Sequence, residues 1–324
     1  VARPSLLDRL PTTSPAVMHR LAIAAVVAQA GIAVTGSVVR VTGSGLGCPT
    51  WPQCFPGSLV PVAHPEIAAL TQWVEFGNRL LTFLVVFVAG LCLLAALGTR
   101  PRRRRLTLLA AAMPIGVVAQ AVIGGVTVLT GLAWWTVAVH FLASMVLVWL
   151  AVQLVAASTE GSGPPRPLVP PAVRGLVAAS TAVLVALLVA GTLVTSAGPH
   201  AGDAATPRLD LGVPGLAQLH ADLLFGYLGL LVGLGFALHA VAAPVALRRR
   251  FAVLIAVVLA QGALGGIQYA LGVPEILVSL HVLGAAIVTA AAAAVWAATV
   301  ERPHVEPAAA APAPELADAG ADRA

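Results

Sequence analysis

The chain has 324 residues, 59% hydrophobic and 10% charged, where soluble domains carry about 25% charged residues. With a mean hydropathy of +0.95, this excludes a water-soluble globular fold, because no core could hide so much apolar surface. The net charge of +5 carries no lysine, and its arginines border apolar runs rather than line one polar face, which excludes nucleic acid as a partner.

The chain opens on a short polar segment, 1–16, that lacks the charged-start, apolar-run, small-residue order of a removable signal peptide. Eight apolar runs of membrane-spanning length follow. They are read as Val17–Val39, Trp73–Leu97, Leu106–Leu129, Ala133–Ala156, Val173–Thr195, Leu216–Ala242, Phe251–Ala270 and Ile276–Val300. The expected fold is an all-α membrane protein with eight transmembrane helices. A first four-helix half spans 17–157, a linker 158–172, a second half 173–300, and an Ala/Pro/Glu/Asp-rich tail 301–324, expected to be disordered.

Arginine sets the orientation. Fifteen of the 18 flank one side, in clusters such as Arg102–Arg105 and Arg248–Arg250; Arg40 and Arg208 flank the other, and Arg79 lies within a span. The positive-inside rule then puts both termini, the linker and the tail in the cytoplasm and the loop "GSGLGCPTWPQC", Gly43–Cys54, outside.

The halves repeat. "AQAVIGGVTVLTGLAWWTVAVHFLAS" aligns without a gap to "AQGALGGIQYALGVPEILVSLHVLGA", 141 residues later. Gln120 meets Gln261, Gly124–Gly125 meets Gly265–Gly266, Gly131 meets Gly272 and His140 meets His281. Asn78 falls opposite His220, and Gly36 opposite Gly191. This is a parallel internal repeat, two pseudo-symmetric four-helix bundles. The first outer loop is longer than its counterpart, and the extra length holds the cysteines.

Asn78, His140, His220 and His281 each fall about five to eight residues inside a span, roughly 8–12 Å below its outer end. Ionisable groups inside a membrane are costly and point to function. His220 and His281 are placed to hold a haem iron from both faces; the bland alternative is a hydrogen bond between helices. The paired glycines read first as close-packing positions, with room for a flat ring as a consequence. Glu75, Asn78 and Arg79 share one helix face, either as interior chemistry or as a self-neutralised pair at a helix end. His200 lies in an outer loop near the mouth of the second half. Cys48 and Cys54, spaced C-x5-C, suit a disulfide outside the cell or, less simply, zinc.

These features together resemble the haem A synthase family, membrane enzymes of bacterial type. The residues that carry the likeness are "TGSGLGCPTWPQC", "EFGNR", His140 after "AQAVIGG", "GPHAGD", His220, and His281 after "AQGALGG". The resemblance implies a plasma-membrane oxidoreductase that converts a porphyrin methyl group of haem O to a formyl group, giving haem A for cytochrome oxidase. It implies a haem b iron held by His220 and His281, and substrate haem O near His140, Asn78 and Arg79 with His140 on its iron. It also implies catalysis by Glu75, a Cys48–Cys54 disulfide, a haem O synthase as supplier and an electron-transfer partner; a monomer and a homo-oligomer both stay open. Many members have His where this chain has Asn78, so the expectation is that His140 alone ligates the substrate iron, or that Asn78 orients water or Glu75. The competing readings are a di-haem b-type electron-transfer protein and a haem transporter.

Overall fold

A computed structural model describes residues 10–304. Arg3, Arg9, Arg323 and nearly all of the expected tail lie outside the described residues.

The described residues form eight helices: α1 (Pro15–Val41), α2 (Ala69–Gly98), α3 (Arg104–Leu129), α4 (Trp134–Thr159), α5 (Pro171–Ala197), α6 (Val213–Ala240), α7 (Val245–Ala270) and α8 (Glu275–Ala297). All are long and apolar enough to cross a membrane. Most overrun the apolar stretches by a few residues, because helix-forming side chains continue the ladder past the point where hydropathy falls. α7 takes in Arg248–Arg250 this way. Two expected ends were too long. Ala242 adopts a positive φ of 47° beyond the end of α6, and Val300 leaves α8 to pair with Pro167 in a two-residue antiparallel ladder.

Local chemistry sets several starts. The Ser14 hydroxyl accepts from the Val17 N–H at 3.3 Å, and Pro15 opens α1 where a missing N–H costs nothing. The α3–α4 and α7–α8 turns are one motif used twice. Gly131–Leu132 and Gly272–Val273 both have positive φ, and Leu132 N and Val273 N return to Thr127 O and Gln268 O at 2.9 and 2.8 Å. Gly suits this left-handed region; Leu132 and Val273 are held there by those bonds.

The halves pack differently. α1–α4 form a closed ring in which each helix contacts both neighbours. In α5–α8, the hairpins α5/α6 and α7/α8 are tight, but α6 and α7 scarcely touch. α8 joins the halves by lying against α1 and α4. Met145 and Ala286, repeat equivalents, are buried together there with Val148, and Gln153 Nε2 donates to Ala293 O at 3.0 Å. Large apolar side chains such as Phe83, Phe87, Phe225, Phe236 and Ile276 face outward, a surface that suits lipid.

At the arginine-rich end, Glu160 accepts from Arg105 and meets Arg302 at 3.6 Å. Arg103 donates to the carbonyls of Ala157, Glu160 and Ser158. Burial lowers the Arg103 pKa, and Glu160 opposes that shift.

Candidate functional site

The opposite end holds the candidate residues. His220 on α6 and His281 on α8 face each other with ring centres 6.4 Å apart and planes at 60°. Metal–imidazole bonds of about 2.0–2.1 Å, plus about 1.2 Å from each nitrogen to its ring centre, put two imidazoles on one metal about 6.4 Å apart. His220 donates from Nδ1 to Leu187 O at 3.0 Å, which fixes the tautomer and leaves Nε2 with its lone pair. His281 keeps Nδ1 buried without a hydrogen-bond partner. Its ring lies on Gly265, where an added Cβ would stand 2.9 Å from Cε1; His220 lies likewise on Gly191, at 3.1 Å. Among the described residues, no three His, Cys, Asp or Glu side chains converge as metal ligands. Two opposed imidazoles therefore suit a haem iron, whose other ligands come from the porphyrin, rather than a bare ion.

The gap between α6 and α7 lies beside this pair. A Cβ on Gly262 would sit 3.1 Å from Leu224 of α6, so that face of α7 looks at α6. Gly266 lies one turn further on the same face, level with His220, and a Cβ there would meet no atom within 4 Å. A flat macrocycle fits such a place.

The first half repeats part of this plan. His140 lies on Gly124, 3.3 Å from an added Cβ to its Cε1, and its Nδ1 is buried without a partner. Gln120 and Gln261 each donate to the carbonyl of the histidine 20 residues on, at 3.0 and 2.8 Å. These glutamines clamp the histidine-bearing helices; the repeat alignment marked them, but no local motif did. Asn78 takes another course from its equivalent His220: its Oδ1 accepts from Thr35 of α1 at 2.7 Å.

Glu75 and Arg79 turn toward the cysteine loop. Glu75 is buried, ion-paired with Arg79 at 2.5 Å, and its Oε2 accepts from Cys48 N at 2.7 Å. Arg79 also donates to the carbonyls of Cys48, Thr50 and Gln53, at 2.7, 2.9 and 3.2 Å. Cys48 and Cys54 form a disulfide and are fully buried, which removes the zinc alternative. Trp51, between them, lays its indole on Gly125 of α3; an added Cβ would stand 2.5 Å from Cδ2. No sequence spacing points to Trp51, because its contact lies far along the chain.

The loop also reaches the second half. Gly45 N donates to Gly202 O at 2.8 Å, and Arg40 donates to His200 O and Thr195 O at 2.6 and 2.9 Å. His200 Nε2 bonds Val273 O at 2.8 Å, in the α7–α8 turn, so it does stand at the mouth of that half.

A family model described as "Cytochrome oxidase assembly protein" (COX15-CtaA) matches residues 19–209, more than half of the chain. The chain belongs to this family. The match covers α1–α5 with the cysteine loop, Glu75, Arg79 and His140, and ends before α6. Heme A synthase of Lysinibacillus sphaericus (strain C3-41) is 35% identical over 130 residues, 39% of each chain. Heme A synthase of Geobacillus thermodenitrificans is 36% identical over 55 residues, 17% of this chain and 16% of that one. The matches therefore span about two fifths or less of these curated relatives.

Proposed function

We propose that the chain is a haem A synthase of the bacterial plasma membrane, oxidising a porphyrin methyl group of haem O to a formyl group. The reading is supported by family membership, by the names of the relatives, and above all by the 6.4 Å opposition of His220 and His281. Those two residues would hold a resident haem b, which supplies one-electron redox chemistry when bound. The α6–α7 gap and the glycine platforms favour that half as the cofactor half.

The substrate belongs to the first half. His140, with its buried and partnerless Nδ1, ligates the substrate iron alone. Asn78 is a weak iron ligand and is already engaged by Thr35; it orients its surroundings instead. That engagement also disfavours a second two-histidine haem, and with it a di-haem electron-transfer protein. Glu75 is the proton acceptor; Arg79 holds its carboxylate in place beside the loop. Both termini face the cytoplasm and the disulfide loop faces outward, as the arginine distribution favours. A haem O-producing enzyme and an electron-transfer partner complete the system.

The test is to express the chain in cells supplied with a haem O source and extract the haem. Haem A is expected. Its absence, with haem b still bound, would overturn the reading.

A further inference from the structure

The two halves differ at one pair of equivalent glycines. Gly266 faces the α6–α7 gap and is exposed; Gly125 is buried beneath the Trp51 indole. The device that puts Trp51 there exists in one half only. Arg79 on α2 grips the backbone on both sides of Trp51, at Thr50 O and Gln53 O, and Glu75 grips Cys48 N. The equivalents of Glu75 and Arg79 on α6 are Ala217 and Ala221, and the α5–α6 loop has no cysteine pair. Trp51 thus lies on α3, tied through its loop to α2, in the place that corresponds to the open gap between α6 and α7.

We infer that Trp51 is the gate of the substrate pocket, its indole filling the Gly125 platform until an incoming porphyrin displaces it. This rests on the proposed assignment of the first half to substrate. Trp51 is 37% exposed, which leaves its side chain a way outward while the disulfide and the Arg79 contacts keep the loop attached. A planar aromatic ring is a suitable placeholder. It covers the platform that the porphyrin needs, and once displaced it can stack on the porphyrin edge. The gate also explains why position 125, inside α3, where glycine is unfavourable, has no side chain.

The experiment uses the full chain purified with its haem b, and iron protoporphyrin IX as the probe for the first half. Binding and release of this second equivalent are followed by stopped-flow absorbance. Removing a closed state populated about nine-tenths of the time raises the apparent association rate about tenfold. Trp51→Ala is expected to show that rise together with faster release. Trp51→Phe should fall between it and wild type. Trp51→Phe, which keeps an aromatic ring over Gly125, also keeps the test available if Trp51→Ala does not fold. A second equivalent bound at wild-type rates by both Trp51→Ala and Trp51→Phe would overturn the gate and leave the functional reading standing. A wild-type protein that retains haem b but takes up no second equivalent would overturn the functional reading and the gate with it.

Discussion

The imidazoles of His220 and His281 meet across 6.4 Å, each resting on a glycine of another helix, Gly191 for the first and Gly265 for the second. Two constraints therefore position each ring, its own helix and the glycine platform, and His220 has a third, the bond to Leu187 O. A site built this way loses its metal when either imidazole is removed, and His140 in the other half is no substitute. His220→Ala and His281→Ala should each lose the low-spin haem b spectrum, and His140→Ala should keep it. Reduced-minus-oxidised absorbance spectra decide this; a low-spin spectrum surviving in His281→Ala would refute the ligand assignment.

The platforms make a subtler prediction. A methyl group at Gly265 would stand 2.9 Å from His281 Cε1, closer than any relaxed contact, so the ring must tilt. Overpacking of this kind costs about 1–3 kcal/mol, so Gly265→Ala should weaken haem b retention roughly tenfold while leaving the helix intact. Competition for the bound haem by apomyoglobin measures it, and unchanged retention would show that the ring has slack to absorb the methyl.

Most of the fold was legible in the sequence because lipid imposes a simple rule: every backbone polar group must be satisfied within a helix, so length and hydropathy name the spans. The repeat was legible for the same reason that it packs alike. Gln120 and Gln261 make the same bond, and Gly131–Leu132 and Gly272–Val273 the same turn. The histidines stood out as costly groups in oil. What stayed hidden depended on contacts far apart in sequence. Glu75 and Arg79 shared a helix face on paper, yet their partners are loop carbonyls and an N–H that no periodicity reveals. Nor does spacing tell that Trp51 lands on Gly125, or that α6 and α7 stand apart where α2 and α3 close.

Glu75 has two duties, and its variants separate them. Glu75→Ala removes the proposed proton acceptor and one hold on the loop. Conversion of haem O should fall about 10²–10⁴-fold, the range for a general base, with haem b retained. Arg79→Ala keeps the carboxylate but removes its counter-ion and three loop contacts. Leaving the buried Glu75 unpaired costs about 3–5 kcal/mol, so this variant should unfold at lower temperature than Glu75→Ala, where the charge left behind, Arg79, is more exposed and keeps three loop carbonyls. Thermal melts of both proteins in detergent test the order. Full haem A production by Glu75→Ala would return the residue to a purely structural role.

The disulfide sits within a loop already tied down from α2. Closing a loop this short contributes about 2 kcal/mol, and Glu75 and Arg79 hold the same backbone independently. Cys48→Ser with Cys54→Ser should therefore destabilise the protein modestly, leave haem b unchanged, and reduce haem A formation several-fold without abolishing it. Assays under reducing and oxidising conditions supply the decisive comparison. A structural staple makes the double variant insensitive to the redox buffer and the wild type slower when reduced. Complete loss of conversion in a folded double variant would instead assign the pair to electron transfer.

Asn78 is where the repeat departs from itself, and restoring symmetry tests what the departure does. Its equivalent is His220, but it bonds Thr35 of α1 rather than resting on a glycine; a Cβ on Gly36, the counterpart of Gly191, would meet nothing within 4 Å. The space for a ring against α1 is thus present. Asn78→His places an imidazole on the helix face that carries one in the other half, across from His140. It should give the first half a second strong nitrogen donor, so that iron protoporphyrin IX binds there with a low-spin spectrum resembling that of the haem b site. Tighter binding should slow product release, lowering turnover of haem O even as affinity rises. Titration of the variant with iron protoporphyrin IX, followed by its absorbance, checks the first part, and single- against multiple-turnover assays check the second. A variant whose second equivalent stays high-spin would show that Asn78 and His140 do not face one iron, and would move the substrate site away from that pair.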